Sequence, residues 1–119
     1  MAASTRSRLA RVVDRVRGVM TAAGFDAVWF VEHHFLTSFS MSPCPEVIFG
    51  ALSRLTKRIR LGFGVVILPY HHPVRVAERV AMVDHLSRGR VEFGTGRSAA
   101  YEQIGMGIEL IGRRKDGSA

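Results

Sequence analysis

Apolar residues return along this chain with helical spacing in some stretches and in unbroken runs in others. Leu9, Val12, Val13, Val16 and Met20 recur at helical intervals with Arg and Asp between them. Gly24 closes that pattern as a helix C-terminal glycine would. Ala27 to Val31 is then near-continuously apolar, as expected of a parallel strand buried on both faces. Thr37 to Pro45 is rich in Ser and Pro and reads as a loop. Pro45 opens a second helix, with Val47, Ile48, Ala51, Leu52 and Leu55 on one face. Ile59 to Leu68, rich in Val and Ile, predicts the strongest strand and holds Gly62 and Gly64 inside it. Beyond the stiff turn Pro69 to Pro73, a third helix places Val76, Ala77, Val80, Val83 and Leu86 inward. Ser87-Arg88-Gly89-Arg90 breaks it, and Val91-Glu92-Phe93 forms a short strand running into the loop Gly94 to Ser98. A weak helix starts near Ala99. Residues 1–111 form one folded segment, and 112–119 read as a frayed polar tail.

Helices and strands that alternate at this length imply right-handed crossovers and a parallel sheet, hence an α/β fold. Each strand ends in a polar group: Glu32-His33-His34, then Tyr70-His71-His72, then Thr95-Gly96-Arg97. Parallel sheets gather their chemistry at such carboxyl ends. Three strands are too few to close a barrel and leave two open edges, so the pattern reads as part of a larger sheet.

Composition narrows the function classes. The chain has 119 residues, 47% hydrophobic and 23% charged, which suits one globular domain. Its net charge of +7 invites a nucleic-acid reading. Arg6, Arg8, Arg11, Arg15 and Arg17 lie on a helix that carries an apolar stripe elsewhere, Arg113, Arg114 and Lys115 sit in the polar tail, and no aromatic residues interleave with the basic ones as a stacking platform. Solvated faces are the simpler reading, with no nucleic-acid partner. The longest apolar run, Gly62 to Pro69, is too short to span a bilayer, and the N-terminus lacks a secretory apolar core. One cysteine, Cys44, excludes an internal disulfide, suits a reducing cytoplasm and has no activating group beside it.

Several constellations carry chemistry in more than one way. Glu32, His33 and His34 read as metal ligands, as a polar loop, or as groups facing a cofactor or substrate. Adjacent residues in an extended chain point to opposite faces, so a metal would have to recruit His71 or His72 as well. Gly94-Thr95-Gly96-Arg97-Ser98-Ala99 matches a dinucleotide fingerprint, but that turn belongs to a first βαβ unit and this one comes last. A plainer reading has two glycines exposing backbone N–H groups, with Arg97 adding a cation for an anionic ligand. Plainer still is a turn with an exposed arginine. Gly62 and Gly64 mark a bulge or the close approach of a neighbouring helix or a flat ring. Asp84, in an apolar helix, faces solvent or caps the next turn.

Taken together, "AAGFDAVWFVEHHF", "TKRIRLGFGVVILPYHHPVRVAERVAMVDHLSRGRVEFGTGR" and the weaker "YEQIGMGIE" resemble the bacterial luciferase-like family of flavin-dependent monooxygenases. The resemblance runs from about Met20 to about Ile108. It implies a partial TIM (β/α)8 barrel, with these strands as its second to fourth; the family pattern expects a first strand before the opening helix, and Met1-Ala2-Ala3-Ser4 does not read as one. It also implies an oxidoreductase that uses reduced FMN from a separate flavin reductase, with O2 and a small organic substrate. The deazaflavin F420 is the alternative cofactor in the same superfamily. His33 matches the family histidine beside the reacting flavin, a catalytic candidate for acid–base work or for orienting the peroxide intermediate. Gly64 and Val65 match the strand bulge behind the flavin ring, and Arg97 an arginine near the flavin's phosphate or polar edge. Gly96 stands where some members carry a reactive cysteine. The competing expectation is a non-catalytic remnant or subunit that pairs with another chain, as a homo-oligomer or with a complementing partner, through its open sheet edges.

Overall fold

Three parallel strands carry the architecture of the computed structural model, which describes residues 2–36, 38–40 and 42–108, with side chains from residue 10 onward. In order the elements are α1 (Ala2–Ala23), β1 (Ala27–Phe30), α2 (Pro45–Leu55), β2 (Arg60–Ile67), a 3-10 turn (Leu68–Tyr70), α3 (Pro73–Ser87), β3 (Val91–Gly96) and α4 (Ala100–Gly105). The strands lie side by side in sequence order, with Val28 opposite Leu61 and Phe63 opposite Phe93. The expected tail 112–119 and the end of the segment at 111 lie outside the described residues.

Local chemistry explains the boundaries. α1 ends at Gly24, whose φ of +69° is the left-handed conformation that glycine adopts without strain. Pro45 and Pro73 open α2 and α3, where the missing N–H costs nothing. The break at Ser87 to Arg90 is also as expected, with Arg88 at φ +62° ending α3. Asp84 caps the turn that follows, its carboxylate accepting the Val91 N–H at 3.1 Å.

One face of the sheet makes the core. Val28, Phe30, Leu61, Phe63, Val66 and Val91 pack against Met20 of α1, Phe49 and Leu52 of α2, and Val76 and Val83 of α3. Phe49 meets Phe30 and Phe63 edge-on, at centroid distances of 5.5 and 4.9 Å. Each such pair contributes about 0.5–1.5 kcal/mol beyond its burial. Below the core, the Arg90 guanidinium donates to the carbonyls of Ser53, Thr56, Ile59 and Ser87 and to the Thr56 hydroxyl, at 2.6–3.0 Å. It ties the end of α2 to the start of β2 and the end of α3. An Arg79–Glu46 ion pair at 2.8 Å joins α2 to α3 on the outside. No helix among the described residues is long and apolar enough to cross a membrane.

The opposite face carries Trp29, 57% exposed, lying across Gly62 and Gly64. Val65 lies across Gly96 in the same way. A Cβ on Gly62 would come within 2.4 Å of the indole, and one on Gly96 within 2.5 Å of Val65 Cγ2. The close approach expected at Gly62 and Gly64 therefore comes from this chain's own tryptophan, not from a helix. A second correction concerns Gly94 to Gly96. They continue β3 rather than forming a loop, since Thr95 and Gly96 pair with Val66 and Ile67. Pairing in the ladder absorbs backbone groups that a phosphate turn would expose, so the dinucleotide-fingerprint reading falls. Glycine has low strand propensity, and only the neighbouring strand shows that the run is extended.

Gly94 and Gly50 give opposite expectations. A Cβ on Gly94 would stand 2.6 Å from the Phe63 carbonyl oxygen, a backbone atom that moves only with β2. Gly94→Ala therefore destabilises the fold by about 1–3 kcal/mol. Gly50 lies within α2 with nothing within 4 Å of an added Cβ, so Gly50→Ala stabilises by about 0.5–1 kcal/mol. Urea melts of the two variants check this; shifts of the same sign would contradict it.

Candidate active site

The three strand ends are drawn together by two buried carboxylates, Glu32 after β1 and Glu102 on α4, 3% and 1% exposed. Carboxylates this buried must be satisfied by hydrogen bonds. Glu32 Oε2 accepts the Ile67 N–H at 2.9 Å, which joins the end of β1 to the end of β2. Its Oε1 pairs with Nε2 of His34 at 2.9 Å and Nε2 of His71 at 2.6 Å. Glu102 Oε1 accepts the His34 backbone N–H at 2.8 Å and pairs with Nδ1 of His33 at 3.1 Å. Its Oε2 accepts the Ser98 hydroxyl. Adjacent histidines thus turn to different carboxylates, as the alternation of an extended chain requires.

His33 is further fixed by its backbone, whose N–H donates to the Ser42 carbonyl at 3.1 Å, and by Phe39, edge-on at 5.7 Å. Its imidazole is 24% exposed, and among the described residues only Glu102 bonds to the ring. Gly64 and Val65 sit where the β2–β3 register shifts between Phe63 and Val66, and their peptide bond is cis. Arg97 follows β3 directly and is exposed, and its guanidinium enters none of the ion pairs among the described residues. Its carbonyl accepts the Gln103 side-chain amide at 2.6 Å. The structure therefore brings His33 and Arg97 to the same end of the sheet as the Gly64–Val65 bulge.

Sequence reasoning missed Glu102. Nothing in the weak motif "YEQIGMGIE" shows that its acid folds back 69 residues onto His33. Tyr70 belongs to the polar strand end expected from position, but its buried hydroxyl is not legible there. Its hydroxyl is buried beside Ser98 without a hydrogen bond of normal geometry, and burial pushes the phenol above its usual value, so it stays a donor. Burial also raises the exposed-loop Cys44 thiol, with Glu46 adding to it, which disfavours the reactive thiolate. Among the described residues no group of three His, Cys, Asp or Glu side chains is arranged to hold a metal ion.

Burial alone would push the Glu102 carboxyl up. Hydrogen bonds from Ser98, the His34 N–H and His33 outweigh it, and the carboxyl is held below its usual value. A lowered folded-state value stabilises the fold above the unfolded carboxylate range, and that stability is lost as pH falls through the folded value. Glu102→Gln removes the titration. The gap in melting temperature between the native chain and this variant should be level above about pH 5 and narrow below about pH 4. A gap that widened on acidification would contradict it.

The family model described as luciferase-like monooxygenase matches residues 1–116. The chain belongs to that family. Limonene 1,2-monooxygenase of Rhodococcus erythropolis is 44% identical over 93 residues, 77% of this chain and 24% of that protein. The oxygenase component of the flavin-dependent trigonelline monooxygenase of Acinetobacter baylyi is 37% identical over 89 residues, 72% of this chain and 24% of that protein. Among solved structures, the oxygenating constituent of 3,6-diketocamphane monooxygenase of Pseudomonas putida, in complex with FMN, superposes with a TM-score of 0.80 at 22% identity. That match covers 96% of this chain and 31% of the other. The coenzyme F420-dependent tetrahydromethanopterin reductase of Methanopyrus kandleri gives 0.70 at 22% identity, over 86% of this chain and 27% of the other. The solved monooxygenase neighbour is a TIM barrel, and the three-stranded sheet corresponds to an arc of it. The chain spans about a quarter of the length of the curated relatives it matches.

Proposed function

We propose that this chain carries the flavin-facing strands of a luciferase-like monooxygenase that acts with O2 on a small organic substrate. The observation that carries the proposal is His33, held by Glu102 at the strand ends, with the Gly64–Val65 bulge and Arg97 at the same end. Those residues fit a flat, anionic cofactor. The buried Tyr70 hydroxyl lacks a normal partner, the bulge offers backbone, and Arg97 is an exposed fork of donors suited to phosphate. Reduced FMN, delivered by a separate flavin reductase, would supply the electrons that activate O2. The chain's own residues do the rest. His33 holds or moves a proton at its ring nitrogen, Gly64 and Val65 form a surface for the ring, and Arg97 binds the phosphate or polar edge.

F420 is the competing cofactor, supported by the fold shared with the tetrahydromethanopterin reductase. A second reading of another class also has an observation behind it. Trp29 is 57% exposed and Phe93 48%, on a sheet whose outer strands pair on one side only among the described residues, which favours association with another copy or a complementing chain. Titrating the purified protein with FMN and with F420, each oxidised and reduced, and following cofactor fluorescence separates these readings. Saturable binding of one cofactor supports the oxygenase or its hydride-transferring counterpart. No binding of either at tens of micromolar would sink both and leave association as the role. Limonene and trigonelline, named in the relatives, are the first substrates to supply with the cofactor that binds.

A further inference from the structure

The two carboxylates impose opposite protonation patterns on their histidines. A carboxylate that is ionised only accepts, so a ring nitrogen at hydrogen-bond distance from it must bring the hydrogen. Neutral imidazole carries a single N–H, so the nitrogen facing the carboxylate determines which one is left bare. Glu32 faces Nε2 of both His34 and His71, whereas Glu102 faces Nδ1 of His33. We propose that Glu102 is the positioning residue that holds His33 as its Nδ1–H tautomer and leaves the Nε2 lone pair free as a proton acceptor at the strand ends.

Three observations support the assignment. Glu102 is 1% exposed and receives bonds from the Ser98 hydroxyl and the His34 N–H, which hold its two oxygens in place before His33 is considered. Its carboxyl is held below the usual value, so it is ionised at neutral pH and can only accept from Nδ1. His33 has a second restraint in Phe39, whose ring packs edge-on against the imidazole at 5.7 Å and hinders it from turning over. The histidine–carboxylate pair is the arrangement by which a general base is kept in one tautomer and its protonated form is stabilised.

This inference deepens the oxygenase reading and rests on it only for the use made of Nε2. The tautomer is a property of the cofactor-free chain. Glu102 also supports the loop after β1, so a fall in activity on mutating it would not tell positioning from structure. Proton–nitrogen correlation spectra of the full chain, labelled in its histidine rings and recorded at neutral pH, do tell them apart. The expected spectrum shows His33 protonated at Nδ1 and bare at Nε2, with His34 and His71 protonated at Nε2. Glu102→Gln keeps the His33 pattern, because the amide oxygen accepts from Nδ1 while its NH2 group serves Ser98. Glu102→Ala shifts His33 towards the Nε2–H form that free histidine prefers, with His71 unchanged as an internal reference.

The proposal is overturned if native His33 carries its hydrogen on Nε2, or if Glu102→Ala stays folded and keeps Nδ1–H. Should Glu102→Ala fail to fold, the native and Glu102→Gln spectra decide, and loss of Nδ1–H in the Gln variant counts against it. If the tautomer is as stated and no cofactor binds, the oxygenase reading fails while the role of Glu102 in setting the tautomer stands.

Discussion

His33→Ala lowers reduced-cofactor-dependent turnover by about 10²-fold or more while the Kd for the cofactor moves by less than about threefold. Arg97→Ala does the reverse, weakening cofactor binding by about tenfold or more with a smaller change in turnover once the cofactor is saturating. The division follows from what each side chain offers. His33 is restrained by Glu102, the Ser42 carbonyl and Phe39, so its ring is held ready for a proton transfer and adds little contact area. Arg97 is exposed and engages no carboxylate among the described residues, so its guanidinium is available to a phosphate. Product formed per reduced cofactor and fluorescence titration, both on the active protein, read the two quantities separately. Equal and small losses from both variants would overturn the assignment.

Arg90→Ala destabilises the fold by about 3 kcal/mol or more, a large share of what a small domain has. The guanidinium satisfies four carbonyls and one hydroxyl from α2, β2 and α3, and a truncated side chain leaves those acceptors under the core without donors. Burial, with Arg88 nearby, lowers its pKa from the usual value, yet a guanidinium remains protonated at neutral pH. Arg90→Lys rescues little, because an ammonium cannot place donors on a planar fork. Arg60→Ala is the control. Its ion pair with Glu92 lies at the surface, with side chains 44% and 42% exposed, and removing it costs less than about 0.5 kcal/mol. Thermal melts of the three variants should show a drop of about 10 °C or more for Arg90→Ala. A drop no larger than that of Arg60→Ala would show that the five hydrogen bonds are replaced by water at little cost.

The helices were legible because their packing faces are periodic. Val76, Val80 and Val83 of α3 are inward as their spacing requires, but Ala77 and Leu86, expected beside them, are exposed. On α2 the expected Val47, Ala51 and Leu55 are exposed while Phe49 is buried. β2 was expected at Ile59 to Leu68 and runs from Arg60 to Ile67, since an apolar run ending in the β-branched Val65, Val66 and Ile67 favours an extended, buried backbone. β3 was expected to stop at Phe93 and runs to Gly96, because glycines carry no side-chain signal and extend only when the neighbouring strand pairs with them. In the site, the polar strand ends could be picked out by position alone, while the roles of His33, Gly64, Val65 and Arg97 came from the family resemblance. Glu102 could not be found so. Its partner is 69 residues away, and a lone acid on a short helix is usually a solvated one.

By itself, then, the sequence determined the alternating elements, the parallel sheet, the family and the end of the sheet where chemistry is placed. These follow from hydrophobic period and from ordered motifs, which are local properties of the chain. Only the tertiary structure decided that Trp29 lies against Gly62 and reaches Gly64, that Arg90 ties the elements together beneath the core, and that Glu32 and Glu102 hold the histidines. Those are contacts between residues far apart in sequence, where burial forces each polar group to find a partner that no spacing rule can name.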